Sequence, residues 1–154
     1  MQHRALAKFV LMVVIAGFNV DSFAEQSSSF GDYVVHYNAL TTDQIEPSVA
    51  RPYGILRSKN RALVNISVQK KVMGTIGQPI AAKVTVSATN LNAQLKNVEM
   101  RQISSGSAES GKAIYYIGEL PIEHEETITF SVDVVPEDTS KRHSFTFKQQ
   151  FFTR

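Results

Sequence analysis

The sequence predicts an all-β domain, a seven-stranded antiparallel immunoglobulin-like β-sandwich behind an N-terminal leader. Three observations predict it. Apolar and polar residues alternate with a period of two through most of the chain after residue 24, the mark of strands with one buried face. Turn-forming residues punctuate that alternation at short spacing. No stretch after residue 24 sustains the 3.6-residue period of an amphipathic helix. Seven such strands in a chain of this length suggest two sheets packed face to face, with a barrel as the alternative. The chain has no tryptophan and no cysteine, so the markers of antibody domains are absent and only the architecture is expected.

The leader comes first. Arg4 and Lys8 precede any acid, and residues 9–18 (FVLMVVIAGF) run without a polar side chain. A bilayer core needs roughly 20 apolar residues, so this run is too short to span and fits the apolar region of a signal peptide. Ser22 and Ala24 supply small residues at the −3 and −1 positions of a cleavage site. An uncleaved anchor competes with this reading, but Asn19 and Asp21 end the apolar run early. No cysteine follows, which excludes a lipoprotein anchor. The expected domains are a cleavable signal peptide, 1–24, and a single β-sandwich, 25–154, exported to the periplasm.

The strands follow in order. Residues 32–40 (DYVVHYNAL) form the first. Residues 62–71 (ALVNISVQKK) place Val64, Ile66 and Val68 on one face. In 81–89, Val84, Val86 and Ala88 turn inward, with Lys83, Thr85, Ser87 and Thr89 outward. Residues 98–103 are short and mixed, and 113–120 (AIYYIGEL) come next. In 127–135, Ile128, Phe130, Val132 and Val134 alternate with polar neighbours. The last strand, 144–152, aligns Phe145, Phe147 and Phe151. Gly74, Gly77-Gln78-Pro79, Asn90-Leu91-Asn92, the run 104–111 and Pro136-Glu137-Asp138 read as connections. One short helical turn is expected in the first long connection, around residues 42–53, with Asp43 as a cap and Pro47 at a first helical position.

Composition excludes several function classes. The leader takes two of the 16 basic residues and one of the 14 acids, so the mature net charge is +1. No broad basic face for nucleic acid is present. Without cysteine there is no disulfide framework and no thiol chemistry. His36, His124 and His143 are isolated from one another, and no pair has the spacing of metal ligands. Glu123-His124-Glu125-Glu126 is the densest ligand-capable cluster, but it lacks the loop pattern of a calcium site and reads as a solvated acidic turn. No serine lies in a nucleophile elbow and no glycine loop cradles phosphate. The expectation is no enzyme, no cofactor, no nucleic acid and no membrane span after cleavage.

Two surface features remain. Residues 51–61 hold four cations and a tyrosine, suited to an anionic partner or, equally, to a solubilising loop whose arginines bond carbonyls and lock it onto the sandwich. Tyr33, Tyr37, Tyr115 and Tyr116 lie in two strands. If Tyr33, Val35 and Tyr37 share an outward face, they form a contact surface; otherwise they bond local backbone at the rim.

The segments GDYVVHYNA (31–39), PSVA (47–50), YGILRSK (53–59) and LVNISV (63–68) resemble a family of small exported bacterial proteins known only as domain of unknown function 4426. AIYY (113–116), TFSV (129–132) and FKQQF (147–151) are similar to the same family. The resemblance covers nearly the whole mature chain. It implies a Gram-negative periplasmic address and carries no activity or cofactor with it. It adds weight to His36, Tyr37, Arg57, Ser58 and Lys59, which with Tyr33 make up a candidate interaction surface, because polar motif residues in connections point to function more often than core strands do. Two functions are expected from these residues. One is a non-catalytic adaptor domain contacting an envelope protein. The other is a small-ligand or cell-wall carbohydrate binder, with His36, Tyr37, Arg57 and Lys59 lining a polar cleft.

Overall fold

The computed structural model describes residues 26–106 and 111–154, and the leader lies outside the described residues. The described residues form ten strands, against the seven expected: β1 (Gln26–Phe30), β2 (Tyr33–Thr41), β3 (Arg61–Lys70), β4 (Gln78–Pro79), β5 (Ala82–Asn90), β6 (Leu95–Asn97), β7 (Arg101–Ser105), β8 (Ala113–Pro121), β9 (Glu126–Pro136) and β10 (His143–Phe151). The seven expected strands are all present, within a few residues of their expected bounds. The three additional ones, β1, β4 and β6, are short and polar, and a run of two to five such residues gives alternation nothing to act on.

The strands form two antiparallel sheets. One has the order β1-β2-β3-β8-β7, with β4 added to β3; the other has the order β10-β9-β5-β6. Each sheet buries one face against the other, which is why alternation was the dominant signal. Val64, Ile66 and Val68 from β3 meet Ile128, Phe130, Val132 and Val134 from β9, all essentially inaccessible to solvent. Phe130 stacks on Phe147 of β10 at 4.9 Å between ring centroids.

Tyr37 points into this core and packs on Phe145 and Phe147. Tyr33, Val35 and Tyr37 therefore share the inward face of β2. Val35 is fully buried, and its burial sets the register of the strand. The even-numbered residues of β2 consequently face away from the second sheet.

The fourth expected strand, 98–103, forms only from Arg101. Val98, 7% exposed, instead crosses toward the first sheet against Gly118 of β8. A Cβ on Gly118 would lie 2.6 Å from both Val98 Cγ1 and Met100 Sδ, so this crossing requires glycine.

The helical turn expected in the first long connection is present as α1 (Pro47–Ala50), flanked by single 3-10 turns at Thr42–Gln44 and Arg51–Tyr53. Pro47 occupies a first helical position, as expected. Asp43 does not cap the helix; the cap residue is Glu46, which makes no side-chain cap bond. Asp43 lies inside the preceding 3-10 turn, too early in the chain to reach the free N–H groups of α1.

Candidate functional site

The site is built by the connection between β2 and β3. These strands pair directly, Thr41 opposite Ala62, so residues 42–60 form a long excursion that folds back over the outer face of the first sheet. Buried Thr42 closes the excursion at its base. Its hydroxyl lies 2.8 Å from the Leu56 carbonyl and accepts the Ser58 N–H at 2.9 Å. Arg57 reaches back along the excursion, its Nε donating to the Ile45 carbonyl and its Nη2 to that of Asp43, both at 2.6 Å. Arg101 of β7 donates to the Tyr53 carbonyl and ties the far end down. The excursion is thus a strap, pinned at both ends.

Beneath the strap, Ile45, Val49, Tyr53 and Ile55 face Leu40, Leu63, Ile103 and Ile117 across an open apolar cavity of about 300 Å³. Beside it lies a larger cleft of about 790 Å³, lined by His36, Asn38, Asn65, Ser67, Gln69 and Tyr115 from the outer sheet face. Its wall continues around the β2 edge to Tyr37, Thr41, Gln149, Gln150 and Phe152. Asn38, Leu40, Asn65 and Tyr115 line both spaces. Strand register assembles the polar wall. His36 stands opposite Ser67, and Asn38 opposite Asn65. Among the described residues, no Asp, Glu, Lys or Arg lines either space. The Asn65 Oδ1 atom is buried and accepts no hydrogen bond.

The structure separates the candidate surface into three places. His36 and Tyr37 line the cleft, from opposite faces of β2. Arg57, Ser58 and Lys59 line neither space; Arg57 and Ser58 hold the strap closed. Tyr33 sits at the other end of the strand, stacked on Phe30 and donating its hydroxyl to Asp138, which also pairs with Lys70 at 2.6 Å. The Lys70 and Tyr33 bonds hold the Asp138 carboxyl below its usual range, and the bond to Asp138 raises the Tyr33 phenol. Sequence reasoning missed Asn38, Asn65, Ser67 and Gln69, and noted Tyr115 only among the strand tyrosines. The available signal was two asparagines inside apolar strands, where asparagine is disfavoured.

The acidic turn is not wholly solvated. Glu126 accepts hydrogen bonds from Lys96 Nζ at 2.8 Å, Asn90 Nδ2 at 3.1 Å and the Glu123 N–H at 2.9 Å. Burial raises its pKa, but these donors outweigh burial and hold it below the usual range. Among the described residues, no three His, Asp or Glu side chains come together as metal ligands would. The cleft offers amide and hydroxyl hydrogen bonds beside aromatic rings, with no fixed charge among the described residues.

No curated protein matches the chain. A family 123 glycoside hydrolase from Clostridium perfringens aligns over 77% of this chain and 27% of its own at 9% identity and a TM-score of 0.36, too low to support any inference. A crystal structure of a DUF4426 family protein from Pseudomonas aeruginosa is 32% identical, with a TM-score of 0.69, over 83% of this chain and 94% of that one. The family model for the domain of unknown function DUF4426 matches residues 27–154. The chain belongs to the DUF4426 family.

Proposed function

We propose that the chain is a non-catalytic binding domain, exported to the periplasm, that takes an uncharged hydrogen-bonding ligand in the cleft beside the strap. The observation that carries this reading is the lining. A cleft of about 790 Å³ is walled largely by amides, hydroxyls and aromatic rings, without one Asp, Glu, Lys or Arg among the described residues. Such a wall suits a neutral sugar or amide, whose polar groups it can match without burying a charge. We also assign the scaffold as immunoglobulin-like. Supporting this, the orders β2-β3-β8-β7 and β10-β9-β5-β6 follow the A-B-E-D and G-F-C-C′ arrangement of that fold.

The test is a titration of the isotope-labelled protein with neutral cell-wall saccharides, read by NMR. Side-chain amide signals of Asn38, Asn65 and Gln69 should shift together and saturate. Shifts elsewhere, or none with any neutral saccharide, would count against the cleft.

A second reading has its own support. Among the described residues, β10 ends its sheet without a further strand and residues 38–41 of β2 have no partner on the β1 side. Free edges accept a strand from another chain, which suits an adaptor contacting an envelope protein. One envelope protein copurifying in stoichiometric amount would favour this reading, and recovery of background alone would weigh against it.

A further inference from the structure

We infer that the ligand is an uncharged amphiphile, its hydrocarbon part under the strap and its hydrogen-bonding head in the cleft. This rests on the cleft reading and extends it. The apolar cavity and the cleft share Asn38, Leu40, Asn65 and Tyr115, so the two spaces adjoin at these side chains. The two ends differ in chemistry. Under the strap the lining side chains are mostly aliphatic; in the cleft most of them carry an amide or a hydroxyl among apolar surface.

Asn65 stands at the junction. Its Oδ1 is buried with no donor, an arrangement that costs the desolvation of the oxygen with no bond in return. An ionic head would lose hydration here and find no Asp, Glu, Lys or Arg among the described lining residues, which favours a neutral head. The cavity sets the size of the tail. An apolar cavity of about 150 Å³ holds one benzene, and this one measures about 300 Å³. Val49, 49% exposed, stands at its open side.

The experiment uses the purified protein, calorimetry, and three probes: methyl β-glucoside, n-hexyl β-glucoside and n-hexyl sulfate. Hexyl glucoside should bind more tightly than the methyl compound, by up to about fourfold for each methylene buried. Hexyl sulfate should bind far more weakly than hexyl glucoside. Val49→Trp, which fills the cavity from its mouth, should remove the gain from chain length; should that variant fail to fold, the three-probe comparison on the unaltered protein decides alone. Equal binding of methyl and hexyl glucoside would overturn the amphiphile and leave the cleft reading standing. Hexyl sulfate binding as well as hexyl glucoside would overturn the neutral head. Binding of neither glucoside would overturn the inference, and saccharide binding in the NMR titration would then still preserve the cleft.

Discussion

Tyr116 joins the two sheets through one hydroxyl. It accepts the Ala82 N–H at 2.7 Å and reaches Gln102 Oε1 at 3.3 Å, and burial raises its phenol pKa. Tyr116→Phe leaves a buried N–H without an acceptor, which should cost about 1–3 kcal/mol in urea unfolding. Gly118→Ala should cost about 1–3 kcal/mol by overpacking against Val98 and Met100. A drop well under 0.5 kcal/mol in either variant would show that the contact relaxes freely. His143 makes stability depend on pH. It stacks on Phe30 at 4.2 Å and bonds Ser28 Oγ at 2.8 Å, and burial lowers its pKa. As the pH falls, the unfolded chain therefore takes up this proton first. The contribution is fully present above about pH 6.5 and is lost below it. Urea midpoints measured at roughly pH 7.5 and 5.5 should fall less in His143→Gln than in the wild type; equal slopes would assign the effect to other groups.

At the scale of elements, the strap is the part whose stability is separable. It makes few contacts with the main core and hangs on Thr42, Arg57 and Arg101. Arg57→Ala should release residues 43–57 locally while both sheets stay intact. Hydrogen exchange at the Ile55 amide, bonded to the Ala50 carbonyl at 3.0 Å, should accelerate at least about tenfold, with protection in β3 and β9 unchanged. Uniform loss of protection would instead make the strap part of the global fold. The strands divide by the same logic. β3, β5 and β9 were legible because each carries several apolar side chains in alternation to a buried face. β1, β4 and β6 were not, because they owe their pairing to a neighbour rather than to their own pattern. Gln78-Pro79 read as a turn for this reason and pairs with Gln69 and Lys70.

At the scale of the whole molecule, the candidate site occupies the face of the first sheet that the sandwich does not bury. The inner faces are apolar and interchangeable among β proteins, whereas the outer face carries Asn38 opposite Asn65 and His36 opposite Ser67. Of the six candidate-surface residues, His36 and Tyr37 line the cleft, while Arg57 and Ser58 serve the strap. Which role a cation plays depends on which carbonyls stand within reach of it, and local sequence does not place those carbonyls.

By itself the sequence determined the class of fold, its two-layer core and the absence of thiol chemistry, because alternation and composition are properties of neighbouring residues. Tertiary structure alone decided that Tyr33 and Tyr37 turn inward, that residues 42–60 fold over the sheet, and that two asparagines meet across a strand pair. These outcomes depend on contacts between residues far apart in the chain. The burial of one residue, Val35, selects which face of β2 is left for function.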